Sequence, residues 1–295
     1  MQKITPHLWF DKEAKEASQF YVAAFGGNSR VKHANTLHNT PSGSVDIISF
    51  ELWGYEFMAI SAGPLFKFNP SVSFHVKCGT KDEVDVMWAK LSPGGTALIE
   101  LGSYPFSERY GWLQDKYGLS WQIIYAAKDE SAQRITPALM FTGNACGRTE
   151  EAVNFYTSVF HDAKVASIFR YGKGEEPDKE RTVKYAHFIL EGQAFGAMDS
   201  AREHNFHFNE AISMIVNCNT QDEIDYYWNK LSDDPKSEQC GWLKDKFGFS
   251  WQVTPVAMNE MLASNDEKKI ARVTEAFLKM KKFDLAQLQR AFEGR

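Results

Sequence analysis

The residues with the clearest chemical signature stand in a stretch that the chain writes twice. Cys240-Gly241-Trp242-Leu243-Lys244-Asp245-Lys246-Phe247-Gly248-Phe249-Ser250-Trp251-Gln252-Val253 repeats Tyr110-Gly111-Trp112-Leu113-Gln114-Asp115-Lys116-Tyr117-Gly118-Leu119-Ser120-Trp121-Gln122-Ile123, and nine of the fourteen positions are identical. Side chains alternate across a strand, so Ser120 shares a face with Gln122, and Ser250 with Gln252, while Trp121 and Trp251 point the other way. An amide donates and accepts hydrogen bonds without needing a metal. Trp112 and Trp242 read either as walls of a pocket for flat or apolar ligands or as core anchors. His204, His207 and Asp199 offer a metal or acid-base cluster, although the polarity of the loop alone explains the histidines. Cys78 and Cys218 fall at equivalent strand ends as small buried thiols. Cys146 and Cys240 have no counterpart in the other copy and so belong to no shared chemistry.

Composition removes several classes of function. A net charge of -5 argues against a nucleic-acid partner. The one short basic run, Lys279 to Lys282, suits the carbonyl end of a helix. No uninterrupted apolar run reaches the roughly 18 residues a membrane helix needs, and the first residues lack a signal core. A soluble, cytoplasmic protein with no membrane partner is the expectation. The chain has no strand followed by a Gly-rich loop, helix and downstream acidic residue, and no G-x-S-x-G elbow, phosphate loop or His-Glu-x-x-His.

The elements that must carry the repeated stretch follow from a second and third echo. Cys78 to Ser92 reappears as Cys218 to Ser232, and Ile4-Thr5-Pro6 as Ile135-Thr136-Pro137, all at offsets of 130 to 140 residues. That period suits a duplicated domain. Within the first half, apolar alternation and helix stops spell strand, helix and three strands, then the same order again from Ser71. The second half repeats both modules. The expected divisions are residues 1–126, a polar linker at 127–134, residues 135–256, and a helical tail at 257–295. In the tail, Asp266 caps a helix with Ile270, Val273, Phe277, Leu278 and Met280 on one face, and Leu285, Leu288 and Phe292 mark a shorter one.

Both halves resemble the PhnB-like branch of the vicinal oxygen chelate superfamily, which includes glyoxalase I, extradiol dioxygenases and bleomycin-resistance proteins. The resemblance rests on Thr149-Glu150-Glu151-Ala152-Val153-Asn154-Phe155-Tyr156, on Ala197-Met198-Asp199-Ser200, on Phe208-Asn209-Glu210-Ala211-Ile212-Ser213, and on the run from Cys240 to Gln252. It implies an α+β fold: a tandem duplication of glyoxalase-like domains, each two paired βαβββ modules forming a cup-shaped mixed sheet, plus C-terminal helices. It also implies an internal pseudo-dimer, with a further homodimer left open. Metal-dependent members hold a divalent ion with His and Glu from four strands. The matching positions here fall at Pro6 or His7, Ala59 or Ser61, Ser73 and Gln122, and at Pro137 or Ala138, Ala197 or Asp199, Ser213 and Gln252. Amides and hydroxyls replace imidazole and carboxylate there, so no metal and no cofactor is expected. His75 is read as lying off the face that Ser73 offers, and His187 as a hydrogen-bonding group in the cup. The expected function is metal-independent binding or turnover of a small apolar or aromatic molecule. Gln252, Asp199, Trp242, Ser213, His187, Gln122, Trp112, Ser61 and Ser73 are the expected ligand contacts. The alternatives are a metal-dependent lyase, isomerase or dioxygenase and, further off, the quinone methyltransferase whose label this branch carries.

Overall fold

The computed structural model describes residues 2–126, 133–264 and 266–295. Of the expected linker only Gln133 and Arg134 lie among the described residues. The first half contains β1 (Ile4–Phe10), α1 (Ala14–Phe25), β2 (Arg30–Thr40), β3 (Gly43–Leu52) and β4 (Tyr55–Ser61). Its second module is β5 (Val72–Cys78), α2 (Lys81–Leu91), β6 (Thr96–Tyr104), β7 (Ser107–Gln114) and β8 (Ser120–Tyr125). The second half repeats this as β9 (Ile135–Phe141), α3 (Thr149–Val159), β10 (Lys164–Arg170), β11 (Val183–Leu190) and β12 (Gln193–Asp199), then β13 (Ile212–Cys218), α4 (Gln221–Leu231), β14 (Trp242–Lys244) and β15 (Ser250–Pro255). The tail forms α5 (Val256–Leu262), α6 (Glu267–Phe277) and α7 (Leu285–Glu293). No helix among the described residues is long and apolar enough to cross a membrane.

The four βαβββ modules pair across the halves. One sheet runs β14-β15-β13-β1-β4-β3-β2, and the other β10-β11-β12-β9-β5-β8-β7-β6. Each is therefore built from one module of each half. The joins are antiparallel: β1 meets β13 with His7 opposite Ser213, and β5 meets β9 with Ser73 opposite Ala138.

Helix starts explain part of the repeat. Thr80 Oγ1 accepts from the Glu83 backbone N–H while Glu83 accepts from Gly79, and Thr220, Glu223 and Asn219 do the same in the second half. This reciprocal cap satisfies donors that the first turn leaves unpaired. The most constrained residue of the doubled stretch is its aspartate. Asp245 is buried and accepts from the backbone of Phe247 and Phe249, from Trp251 Nε1 at 2.8 Å and from Tyr156 Oη at 2.7 Å. Asp115 accepts in the same way from Tyr117, Leu119, Trp121 and Tyr21. Trp121 and Trp251 face this convex core, as period-two alternation requires.

In the tail, α6 stops at Phe277, so Leu278 and Met280 fall outside it, and Met280 is buried in the turn that follows. The helix α5 was not anticipated from the sequence. At seven residues it is too short to show an apolar stripe, and it starts directly from the last strand.

Replacing Tyr156 by Phe removes one donor from the buried Asp245 carboxyl, a loss of about 1.5–3 kcal/mol for a bond to a charged group. Replacing Tyr226, whose hydroxyl donates to the Val159 carbonyl, by Phe is expected to cost about 1 kcal/mol. Urea midpoints of the two variants check the difference, and equal midpoints would remove Asp245 from its central place.

Candidate functional site

A cavity of about 610 Å³ lies on the concave face of the seven-stranded sheet, within the usual range for small-molecule sites. Its floor is drawn from both halves. His7 and Trp9 come from β1, Met58 and Ile60 from β4, and Ile215, Trp242 and Gln252 from β13 to β15. Met258, Leu262, Phe277 and Phe283 of the tail close it, so α5 and α6 serve as its roof. An ion pair of Lys244 and Glu210 at 2.7 Å also lines the cavity.

Three polar groups meet on the floor. Gln252 Nε2 donates to Ser213 Oγ at 2.9 Å, and Ser213 sits opposite His7 across the β1–β13 join. His7 is 4% exposed, its ring packs edge-on against Trp242 at 5.4 Å, and its Nδ1 has no hydrogen-bond partner. Burial lowers the His7 pKa to about 3, so the ring is neutral near pH 7. Ser250 Oγ, also buried and on the cavity wall, is likewise without a partner.

The eight-stranded sheet forms the matching concavity, and its own side chains fill it. Gln122 Nε2 donates to Ser73 Oγ at 2.8 Å, as Gln252 does to Ser213, but Tyr110 Oη donates to Gln122 Oε1 at 2.6 Å. Trp112 Nε1 donates to Ser120 Oγ at 2.7 Å, the bond that Ser250 lacks. Tyr185 stacks on His75 at 5.5 Å and lies over Gly196, where a Cβ would stand 2.6 Å from the Tyr185 hydroxyl.

The expected site residues thus divide into three groups. Gln252, Trp242 and Ser213 gather at the open cavity. Gln122, Ser73, Trp112 and His187 lie in the filled concavity, His187 on β11 opposite Gly196. Ser61 and Asp199 are on neither concave face. On β4 the cavity takes Met58 and Ile60, which turns Ser61 to the convex side, where its hydroxyl accepts from Ala14 N–H at the start of α1. Asp199 is 1% exposed and accepts from Gly147, Thr149 and Val183, holding the start of α3. A one-residue slip in register flips every side chain of a strand, and that error separates Ser61 and Asp199 from the site. His75 corrects in the opposite sense: two residues from Ser73, it shares that residue's face. His204 bonds Ser200 Oγ at 2.8 Å and leaves Asp199 to α3.

Of the implied metal positions, His7, Ser213 and Gln252 converge. They offer one imidazole, one hydroxyl and one amide, a set that does not fit a divalent ion. Among the described residues no group of three His, Cys, Asp or Glu could hold a metal. The residues that sequence reading missed are Trp9, Met58, Ile60 and the tail's roof. Strand alternation from the buried Ile4, Leu8 and Phe10 would have placed His7 and Trp9 together on the other face.

Two cup-shaped sheets made of paired βαβββ modules define the vicinal oxygen chelate fold. The family model described as 3-demethylubiquinone-9 3-methyltransferase matches residues 2–124 and 133–254, and the chain belongs to that PhnB-like family. The PhnB protein from Bacillus cereus is 41% identical over 42% of this chain and 100% of its own, with a TM-score of 0.40. Glyoxalase I from Zea mays is 11% identical over 89% of this chain and 98% of its own, with a TM-score of 0.54. A candidate dioxygenase from Bacillus subtilis covers 97% of this chain and 94% of its own at 11% identity and a TM-score of 0.52. These two likenesses concern the fold alone. No curated protein matches the chain.

Burial depresses the pKa of His75 as well, to about 4. Both rings stay neutral in the folded state while their unfolded counterparts, at 6.5, take up protons. The unfolded state therefore binds more protons between about pH 6.5 and pH 3–4, and stability falls as pH drops through that window. Replacing His7 by Gln is expected to remove about 2 kcal/mol of the destabilisation between pH 7 and pH 5. Denaturant midpoints at the two pH values measure it, and an unchanged pH dependence would show that the His7 ring is not held neutral.

Proposed function

We propose that the cavity of the seven-stranded sheet binds one small, largely apolar aromatic molecule per chain, without a metal. The observation that carries this reading is the half-open space of about 610 Å³ that aromatic and aliphatic side chains wall over a floor holding Gln252. Trp9, Trp242 and Phe66 supply ring walls, with Trp9 edge-on to both at 6.1 and 5.1 Å. Gln252 and His7 orient the ligand; Gln122, Ser73 and Trp112 serve their own filled concavity and bind nothing.

The family description names a methyltransferase acting on a quinone. This chain supports the aromatic part of that description and not the methyl transfer, because it lacks a Gly-rich loop leading from a strand into a helix. The exchange of modules between halves supports reading the chain as a pseudo-dimer fused into one polypeptide. Four unpaired cysteines fit a reducing, cytoplasmic setting.

Equilibrium dialysis of chelator-treated protein against 2-methoxynaphthalene tests the reading. We expect saturable binding at one molecule per chain, weakened about tenfold or more when Leu262→Trp fills the roof. Two molecules per chain, or no binding by either this ether or its parent naphthol, overturns the proposal. So does stoichiometric zinc uptake by the same preparation.

A further inference from the structure

The filled concavity carries a record of what the open one takes. In the eight-stranded sheet the Gln122 amide is held by Ser73, and its carbonyl oxygen accepts from the phenol of Tyr110. In the seven-stranded sheet the Gln252 amide is held in the same way by Ser213, and that is the one hydrogen bond its side chain makes among the described residues. Cys240 stands where the repeat has Tyr110. The backbone also departs there: Cys240 has φ +51°, and its N–H donates to the Met280 carbonyl of the tail instead of continuing the strand. Gly241 follows at φ +83°, where a Cβ would meet Phe283 at 2.4 Å, so the tail is locked against this turn. The acceptor that receives a phenol in one cup thus faces empty space in the other, with Cys240, Trp242 and Gln252 all on the cavity wall.

We propose that the ligand of the open cup is a neutral phenol, a hydroxylated aromatic ring whose hydroxyl donates to Gln252 Oε1 as the Tyr110 hydroxyl does to Gln122. This rests on the small-molecule reading above and names its chemical class. A second observation agrees with it. His7 takes the place of Ala138, the residue opposite Ser73 in the filled cup, and brings an unpartnered Nδ1 to the same floor. The floor beside Gln252 is therefore more polar than its counterpart beside Gln122. The aliphatic and indole walls, among them Met58, Ile60 and Trp9, suit the ring faces.

The test compares 2-naphthol with its methyl ether, 2-methoxynaphthalene, on the full chain. The ether keeps the ring and the oxygen but cannot donate. We expect 2-naphthol to bind at least about tenfold more tightly, and Gln252→Leu, checked for folding by circular dichroism and melting temperature, to bring the two ligands to parity. Cys240→Tyr, which adds a bulky ring to the cavity wall, is expected to weaken 2-naphthol binding about tenfold or more while the protein stays folded, and unchanged binding would place the ligand away from that wall. Equal affinities in the native protein overturn the phenol assignment and leave the cavity reading intact. Binding of neither compound overturns both. A tenfold preference that survives Gln252→Leu overturns the role of Gln252 Oε1.

Discussion

The buried carboxyl of Asp245, with its twin Asp115, is the constraint on which the architecture turns. Because the sheets pair modules from different halves, no strand pairing among the described residues holds the two modules of one half together. The aspartates are among the side chains that do, beside the Tyr226 hydroxyl on the Val159 carbonyl and a shared apolar core. Tyr156 belongs to the first module of its half and Asp245 to the second, and Tyr21 and Asp115 stand in the same relation. Each carboxyl also fixes the tight turn before the last strand and the indole that follows it, so a single side chain sets turn, strand and helix in one geometry. Buried polar networks specify a unique arrangement only when every member is satisfied, and here the aspartate accepts from four donors. This is why the doubled stretch is so alike in both copies. Asp245, Leu243 and Trp251 serve the convex core, whereas Trp242, Ser250 and Gln252, equally unchanged, face the cup.

The two cups diverge on this common frame. The eight-stranded sheet fills its concavity with Tyr110 and Tyr185, and gains the packing and hydrogen bonds that protein interiors usually have. The seven-stranded sheet carries Cys240 and Ile47 where those rings would stand, and its space remains open. An apolar hole of this kind forgoes dispersion contacts with every atom that lines it. The tail compensates in part. Met258, Met261, Leu262, Val273, Phe283 and Leu288 make a second apolar cluster with Leu37, Val45 and Ala62 over the cavity. The roof is anchored by backbone bonds from Cys240 to Met280 and from Gly241 to Lys281, and by Asn35 Nδ2 donating to the Leu262 carbonyl.

Much of this was legible in the sequence. The duplication, the four modules, the outward-turned Trp121 and Trp251 and the shared face of Ser120 with Gln122 and of Ser250 with Gln252 follow from repetition and alternation, which are local properties. Which module pairs with which is non-local. The echoes of Ile4 and Ile135 announce equivalent strands without saying that each joins the other half. Strand phase is where the sequence misleads: Ser61 and Asp199 stand one residue off the cavity face. A lone strand histidine is usually satisfied, and only the packing on Trp242 and the missing partner on Nδ1 separate His7 from that ordinary case. Nothing in the sequence of the tail says which surface it covers.

The charge state of the site constrains its ligand further than shape does. A charged ligand buried in an apolar cavity needs a compensating charge, because removing an ion from water costs several kcal/mol even after relaxation. The floor supplies none: His7 is held neutral by burial, and Gln252 and Ser250 are neutral by nature. Of the charged residues that line the cavity, Glu210 and Lys244 are paired with each other, and Lys236 is exposed to solvent. The amide of Gln252 therefore leaves a floor of neutral donors and acceptors, which under the proposed reading suits a ligand that is itself uncharged.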